Sequence, residues 1–460
     1  MGVNSIIQSL KSKLYSQFSS SSIGNHFPPP GLYHYQRERS GERSRIHLRI
    51  DPGHGNEGAQ GILLVNANRV LHLNPTATLM AYLVLEKYPP KRAVHILQKQ
   101  YNVSNTQAHD DYAHYVADLN ELIRPGEGSC PICDLDLEIT APFTSKPSAP
   151  YRMDLALTYR CNNDCAHCYN ARPRNFPELS TEQWKRIIDR VWEIGIPHIV
   201  FTGGEPTLRE DLPELIHYAE QLGQITGLNT NGRRLSENHY LMELVDAGLD
   251  HVQITIESHD DSLHDSMVHR KGAWSQTITG LTNALDTPLF VMTNTTMLRQ
   301  NSPSLADTLD FLARKGVPTI GLNALIYSGR GLTVGTGLSE DELTPLLNIA
   351  RQKTDLHGQR LIWYTPTQYC NFDPMQLELG VKGCTAALYN MCVEPDGGVI
   401  PCQSYYHQLG NLLADPWDSI WNHDLSISLR ERHYVPDKCH DCILLQECGG
   451  GCPLFLNASH

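Results

Sequence analysis

The run Cys161-Asn-Asn-Asp-Cys165-Ala-His-Cys168 places three cysteines in the spacing C-x3-C-x2-C. Three thiolates this close can bind three irons of a cubic [4Fe-4S] cluster and leave the fourth iron without a protein ligand. That open iron could bind a small molecule and pass it an electron. Clustered cysteines also bind zinc, but His167 inside the loop is poorly placed as a fourth ligand. The run therefore favours an iron–sulfur cluster, with zinc as the alternative.

Two further motifs follow short apolar runs. The run that begins at His198 ends in Gly203-Gly204-Glu205-Pro206, where the glycines let the backbone approach a ligand closely. Glu205 could accept a hydrogen bond from a ligand ammonium. A second run ends in Asn229-Thr230-Asn231-Gly232, whose polar groups suit a ribose or a carboxylate. Taken singly, each motif is also typical of an ordinary turn.

In this order, the three motifs closely resemble the core of radical S-adenosylmethionine (SAM) enzymes. The resemblance implies that Cys161, Cys165 and Cys168 hold the cluster that binds SAM. It also implies that one electron cleaves SAM to a 5′-deoxyadenosyl radical, which abstracts hydrogen from a substrate. Glu257 stands where the family commonly has Asp, so the resemblance is less secure there. The residues that the resemblance implies as SAM contacts are Gly203, Gly204, Glu205, Thr230, Asn231, Thr255, Glu257 and Asn294.

Residues 151–330 alternate apolar runs with helical patterns about six times. The first helix opens with the capping box Ser180-Thr-Glu-Gln183. Repeated βα units predict an α/β fold whose parallel sheet curls into a partial (β/α)6 TIM-like barrel. Such sheets collect their sites at the carboxyl ends of the strands, so the motifs should share one rim. The strands are expected to start near Met153, His198, Gln224, His251, Leu289 and Thr319.

Six cysteines near the C-terminus form a second pattern, C-x12-G-x4-C followed by C-x2-C-x5-C-x3-C, with a hairpin expected around Pro395-Asp-Gly-Gly398. The pattern resembles the SPASM extension of radical SAM enzymes, which carries two auxiliary [4Fe-4S] clusters; a zinc ribbon is the alternative. The resemblance implies that Cys384, Cys402 and Cys452 bind the first auxiliary cluster and that Cys439, Cys442 and Cys448 bind the second.

The family usually has a further cysteine after this run, and none follows Cys452 here. Cys370 and Cys392 are therefore candidate ligands, one completing the first cluster and the other the second. Alternatively, the second cluster has an open iron. The spacing does not decide between these arrangements.

Residues 46–125 predict a small unit with strands at 46–50, 61–65 and 70–73, followed by three helices, the first capped by Asn74. Its hairpin, Leu71-His-Leu-Asn74 and helix order resemble the peptide-chaperone domain of pyrroloquinoline quinone biosynthesis, also called the RiPP recognition element. The resemblance implies a winged-helix-like unit that captures a leader peptide by strand addition. Alternatively, the unit simply stabilises the core, and DNA binding is disfavoured by the acidic charge.

These patterns divide the chain of 460 residues into six parts. Cys130 and Cys133 in the linker receive no role. The expected parts are a disordered or extended N-terminus (1–45), the recognition-like domain (46–125), a linker (126–150), the radical SAM core (151–330), a helical connector (331–369) and the SPASM domain (370–460).

Composition restricts the function further. The formal charge of −13 makes phosphate-mediated nucleic-acid binding a poor expectation. No apolar run is long enough for a membrane span, and the N-terminus lacks a signal-peptide pattern, so a cytoplasmic protein is expected. Thirteen cysteines in such a protein favour metal binding over disulfides.

The sequence thus predicts a radical SAM enzyme of the SPASM type, an oxidoreductase or peptide maturase. Its expected substrate is a ribosomally made peptide with a leader, and its expected electron donor is a flavodoxin or a ferredoxin. The alternatives are a radical SAM enzyme acting on a small molecule or cofactor precursor, and an iron–sulfur protein without catalysis.

Overall fold

The computed structural model describes residues 27–39, 42–52, 59–65, 69–122 and 147–458. Cys130 and Cys133 therefore lie outside the described residues. The described chain forms a four-stranded antiparallel sheet with its own apolar core and a ten-stranded sheet with a larger one. None of the described helices is long and apolar enough to cross a membrane.

The N-terminal domain is one sheet in the order β1-β2-β3-β4, followed by three helices. Asn74 caps the first helix by accepting a hydrogen bond from the Ala77 N–H, at 2.8 Å, as the sequence predicts. The strands are β1 (Gly31–Arg39), β2 (Glu42–Asp51), β3 (Gln60–Val65) and β4 (Arg69–Leu73), and the helices are α1 (Pro75–Leu85), α2 (Pro90–Tyr101) and α3 (Asn105–Leu122).

Part of the N-terminal stretch 1–45, which was expected to be disordered or extended, forms strand β1 of the N-terminal sheet. It pairs with β2 along its whole length, from Gly31 opposite Ile50 to Arg39 opposite Glu42. The polar composition of this stretch hid the strand. Its tyrosine side chains pack on the domain core while most of its other residues stay partly exposed.

The six predicted core strands are present, and each pairs in parallel with the next. The connector at 331–369, expected to be helical, also supplies a strand that pairs in parallel with the sixth. The core strands are β5 (Arg152–Thr158), β6 (His198–Gly203), β7 (Ile225–Thr230), β8 (His251–Thr255), β9 (Phe290–Met297), β10 (Thr319–Ala324) and β11 (Arg360–Trp363).

The C-terminal region extends the other edge of this sheet. Strand β12 (Asn390–Val393) pairs in parallel with β5, and the predicted hairpin joins it to β13 (Gly398–Ile400). A short strand, β14 (Gly410–Asn411), follows β13. The SPASM region is therefore continuous with the barrel sheet, which fixes its cysteines relative to the core.

The helices cover the outer face of the sheet. Ser180 and Gln183 form the predicted capping box, and the helix behind it buries Trp184 and Val191. Burying side chains of this size contributes about 1.5–3 kcal/mol each. The helices are α4 (Thr181–Glu193), α5 (Leu212–Leu222), α6 (Asn238–Asp246), α7 (Asp261–Met267), α8 (Ala273–Leu285), α9 (Leu305–Arg314), α10 (Glu340–Leu356), α11 (Trp417–Trp421), α12 (Asp424–Arg430), α13 (Leu445–Cys448) and α14 (Pro453–Ala458).

The N-terminal domain docks on the amino ends of the core strands through alternate residues of β2. Arg45 donates to the carbonyl of Gln224 at 2.7 Å, and His47 Nε2 donates to that of Gly223 at 2.7 Å. Burial lowers the pKa of His47 to about 3, so this ring is neutral at physiological pH. Because both carbonyls lie just before β7, the domain contacts the end of the barrel opposite the cluster loop.

Candidate functional site

The loop that carries Cys161, Cys165 and Cys168, here called the cluster loop (residues 161–168), follows the carboxyl end of β5. Two glycines at the end of β6, Gly203 and Gly204, support the start of the cluster loop. Gly204 N–H donates to the carbonyl of Thr158 at 2.7 Å. A Cβ on Gly203 would lie 2.1 Å from that oxygen, and one on Gly204 would lie 2.3 Å from the Arg160 carbonyl. Only glycine permits this approach of two backbones, which gives the Gly-Gly pair a structural reason.

Arginines hold the backbone of the cluster loop. Arg174 donates to the carbonyls of Cys161 and, at 2.6 Å, of Asn163. Arg233 donates to the carbonyl of Asn162 at 2.6 Å. These contacts satisfy the loop carbonyls without a metal, so the loop geometry is set by the protein.

Arg330 holds the other half of the loop. Its guanidinium donates to the Asp164 carboxylate at 2.9 Å, and its backbone N–H donates to the carbonyl of Cys168 at 2.9 Å. Sequence reasoning missed all three arginines. Arg174 and Arg233 follow recognised motifs in the sequence. Arg330 comes from a distant loop, and its neighbours in the sequence give no indication of this role.

Glu205, which the sequence predicts as an acceptor for a ligand ammonium, lies between the ends of β6 and β7. Its carboxylate is buried and accepts hydrogen bonds from the hydroxyls of Thr207 (2.6 Å) and Thr230 (2.7 Å) and from Asn231 N–H (2.8 Å). Burial raises the pKa of this carboxyl, although the hydrogen bonds oppose the shift. Glu205 thus ties the end of β6 to the end of β7, and it does not line the cavity described below.

Glu257 binds the inner side of the cluster loop. Its carboxylate contacts His167 Nε2 at 3.0 Å and accepts from Thr296 N–H at 3.1 Å. His167, whose role the sequence left undecided, therefore pairs with Glu257. Thr255, the last residue of β8, lines the same cavity as Glu257.

Asn294 offers an unused acceptor at this rim. Its amide donates to Asn323 Oδ1 at 2.8 Å, while its own Oδ1 is buried with no hydrogen-bond partner in the structure. A buried unsatisfied oxygen is costly and suits a ligand donor.

One cavity of about 920 Å³ joins the rim to the C-terminal cysteines. Burial, and then the negative charge of Glu205, raise the pKa of Cys161 to about 11, so this thiolate needs a bound cation to persist. Cysteines of both groups line the cavity: Cys161, Cys165, Cys168, Cys384, Cys402 and Cys452.

Direct contacts join the cluster loop to the C-terminal region. The hydroxyl of Tyr169, next to Cys168, donates to Gln403 Oε1 at 3.1 Å, and Gln403 is next to Cys402. Arg172 donates to both carboxylate oxygens of Glu394, at 2.7 and 2.9 Å. The two cysteine groups are therefore held in a fixed relation.

The two cysteines without an assigned group, Cys370 and Cys392, lie in different parts of the C-terminal region. Cys370 lies near Cys448, because the neighbouring Tyr369 N–H donates to Cys448 Sγ at 3.4 Å. Burial, and then the negative charges of nearby cysteines that include Cys370, raise the pKa of Cys439. Cys392 is fully buried on β12 and packs with apolar side chains near Cys402.

Among the described residues, no three His, Cys, Asp or Glu side chains approach closely enough to hold a single metal ion.

Comparison with known proteins agrees with this geometry. A family model for the radical SAM superfamily matches residues 155–312, and one for the SPASM iron–sulfur cluster-binding domain matches residues 384–443. The chain is 30% identical over 324 residues to Fe-coproporphyrin III synthase of Methanosarcina barkeri, covering 64% of this chain and 81% of that one. It is 29% identical over 320 residues to the PqqA peptide cyclase of Bradyrhizobium diazoefficiens, covering 66% and 81%.

The chain belongs to the radical SAM superfamily. Its fold matches that of Streptococcus suis SuiB bound to S-adenosylmethionine, with a TM-score of 0.64 and 16% identity over 86% of this chain and 93% of that chain. It also matches anSMEcpe with bound AdoMet, with a TM-score of 0.53 and 18% identity over 65% and 89%.

The radical SAM and SPASM domains imply [4Fe-4S] clusters and SAM as cofactors, and the donor set fits them. Three cysteines on a preformed loop leave room for a ligand on the fourth iron, and Asn294 presents an unpaired acceptor to the same cavity. When bound, these groups supply one-electron chemistry that removes hydrogen from a substrate. The chain contributes the orientation of the loop and the cavity between the loop and the SPASM cysteines.

Proposed function

We propose that this radical SAM enzyme modifies a ribosomally made peptide. The observation that carries the proposal is the single cavity shared by the cluster loop and the cysteines of the SPASM region. Relatives named as PqqA peptide cyclases, and a SuiB structure bound to the precursor peptide SuiA that shares this fold, support a peptide substrate.

The N-terminal domain supports capture of a leader. Strand β4 is an edge of the four-stranded sheet, with no outer strand partner among the residues that the structure describes. An edge strand exposes backbone donors and acceptors that an extended peptide can pair with. The docking of β2 on the core supports the alternative, in which the domain only stabilises the enzyme. Both roles are compatible, because a peptide would pair with the outer backbone edge of β4, whereas β2 and the His72 side chain of β4 contact the core.

A small-molecule substrate is the second candidate, since the chain is 30% identical to an Fe-coproporphyrin III synthase. Competition separates the candidates. A free leader peptide added in excess should inhibit modification of a peptide substrate and leave activity on a small molecule unchanged.

We also propose ligands for the auxiliary clusters. Cys384, Cys402 and Cys452 bind the first, with Cys392 nearest to its open position. Cys439, Cys442 and Cys448 bind the second, and Cys370 supplies the fourth thiolate that the C-terminal run lacks. The contact of residue 369 with Cys448 supports this choice. Cys370→Ala should remove or alter one auxiliary signal in electron paramagnetic resonance, with the buried Cys392→Ala as the matched comparison.

The proposal includes a cytoplasmic location and a flavodoxin or ferredoxin as electron donor. Exposed thiols such as Cys442 persist in a reducing compartment, and a low-potential donor suits iron–sulfur clusters.

The test is anaerobic reconstitution with dithionite and SAM, followed by assay of 5′-deoxyadenosine. The matched control is Cys161→Ala/Cys165→Ala/Cys168→Ala, which should retain the auxiliary iron and form no nucleoside. An unmodified chain that binds iron but neither binds nor cleaves SAM would leave an iron–sulfur protein without catalysis.

A further inference from the structure

Two neighbouring carboxamide side chains face the cavity from the middle of the barrel. Asn229 on β7 and Gln253 on β8 lie opposite each other in the parallel ladder, and both line the cavity. Their neighbours Leu228 and Ile254 point the other way, into the apolar core. No other residue in the described parts of the chain forms a hydrogen bond with either carboxamide. The pair therefore presents two oxygens and two NH2 groups to open space.

The carboxamide pair (Asn229 and Gln253) lies between the rim and the floor of the barrel. Gln253 precedes Thr255 by two positions, so it lies about 6.6 Å deeper at ~3.3 Å per residue. Below it, His198 and His251 form the floor of the cavity, with their Nε2 atoms 2.9 Å apart. Gly227 makes room for this floor, because a Cβ there would lie 2.2 Å from the His251 ring.

The surroundings of the carboxamide pair carry little free charge. Burial lowers the pKa of both floor histidines, that of His251 to about 4, so these rings are neutral at physiological pH. Arg152 lines the cavity but pairs with the buried Asp154 at 3.1 Å, and Arg360 is exposed to solvent. Thiolates of clusters bound at the rim would repel an anionic ligand. A neutral group therefore suits this part of the cavity best.

Hydrogen-bond chemistry narrows the ligand further. A ligand that enters the barrel displaces the water around the carboxamide pair, so it must supply both donors and acceptors in return. An amide does so, because its carbonyl accepts from an NH2 group while its N–H donates to an oxygen. A carboxylate would leave both carboxamide oxygens without a donor, and an ammonium would leave both NH2 groups without an acceptor.

We propose that Asn229 and Gln253 bind an amide group of the substrate, which is a peptide bond or the side chain of Asn or Gln. The inference rests on the proposed function and deepens it by naming the group that enters the barrel. Because Thr255 is an expected SAM contact and lies directly above Gln253, the bound amide lies next to the expected SAM site.

The test is saturation-transfer NMR on the anaerobically reconstituted full-length protein without reductant. N-methylacetamide is the probe for a peptide bond, and its isomer propionamide is the probe for a side-chain amide. Methyl acetate and propionate are analogues of similar size that lack the N–H group. We expect the better amide to bind at least about fivefold more tightly than either analogue, and its identity assigns the group. Equal binding of the amides and the analogues would overturn the inference.

The double variant Asn229→Leu/Gln253→Met keeps the side-chain shapes and should remove the preference for amides. Its melting temperature should not fall, because neither carboxamide has a protein partner to lose; a clear fall would indicate a structural role and overturn the inference. The matched control is Gln221→Met/Asn348→Leu, which changes two exposed carboxamides and should keep the preference.

SAM affinity of the same variants, measured by calorimetry, separates the two cofactor and substrate roles. We expect the affinity of Asn229→Leu/Gln253→Met for SAM to stay within about twofold of the parent value. A larger loss would assign the carboxamide pair to SAM and overturn the inference. None of these measurements requires SAM cleavage. Failure of the amide site is therefore distinguishable from failure of the proposed reaction, which the nucleoside assay measures.

Discussion

The cluster loop and the second auxiliary group (Cys439, Cys442 and Cys448) hold their cysteines in two different ways. In the cluster loop, three arginines bind the backbone or side chains of residues 161–164, and the loop cysteines are all at least partly buried. The segment from Cys439 to Cys448 is held mainly by local turns, with Cys442 exposed and Ile443 95% exposed. The first site is built by the protein, whereas the second has few contacts that would order it without a metal.

The largest difference should appear on removal of iron. We expect chelation to raise amide hydrogen exchange in residues 439–452 by about a hundredfold or more, and in residues 161–168 by less than about tenfold. Hydrogen-exchange mass spectrometry under anaerobic conditions measures both segments in one sample. Equal deprotection of the two segments would show that the cluster loop is not preformed.

Gly204→Ala should distort the cluster loop. The new Cβ would lie 2.3 Å from the Arg160 carbonyl, so the two backbones must separate. We expect a loss of about 2–4 kcal/mol in stability, and SAM affinity weakened by about a hundredfold in calorimetry of the reconstituted protein. The control is Gly358→Ala, where a Cβ would meet no atom within 4 Å; the left-handed φ of +64° there costs alanine about 1–2 kcal/mol, but SAM affinity should not change. An unchanged affinity in Gly204→Ala would contradict the role assigned to this contact.

Arg233→Gln should weaken the loop more gently. It removes the hydrogen bonds to the carbonyl of Asn162 and to Asn163 Oδ1, at 2.6 and 2.9 Å. The expected cost is about 1–2 kcal/mol, or about a tenfold loss of SAM affinity. The exposed Arg314→Gln serves as the matched control and should bind SAM normally. Iron bound by the auxiliary groups should not change in either variant.

The smallest effect is expected from Arg432→Gln in the C-terminal region. Arg432 donates to the carbonyl of Leu445, between Cys442 and Cys448. Because the metal supplies most of the order there, we expect iron retention to fall by less than about twofold, with SAM affinity unchanged. A large loss of iron would mean that protein contacts also hold the second group.

The sequence predicted the features that depend on periodicity and local spacing. Apolar runs located the starts of all six core strands to within one residue, and the hairpin before Cys402 was found from its Pro-Asp-Gly-Gly turn. The repeated βα pattern also predicted that Thr230 and Asn231 lie near the cluster loop, because the carboxyl ends of parallel strands share one rim.

The sequence could not show contacts between distant segments. Glu205 was expected to accept a hydrogen bond from a ligand ammonium, but its hydrogen bonds to Thr207, Thr230 and Asn231 could not be foreseen, because they form only when β6 and β7 lie side by side. Strand β1 was hidden by its polar composition, and the proximity of Cys370 to Cys448 depends on the fold of the connector.

The docking of the N-terminal domain sets a molecular ruler. The domain binds the amino ends of the core strands, while the cluster loop follows their carboxyl ends. Strand β5, with seven residues, spans about 20 Å of this height at ~3.3 Å per residue. If a leader binds the N-terminal domain, as proposed above, the peptide must place at least about six extended residues between its anchor and the reacting position. Precursors with shorter spacers would be bound and left unmodified, so spacer length itself would select the substrate.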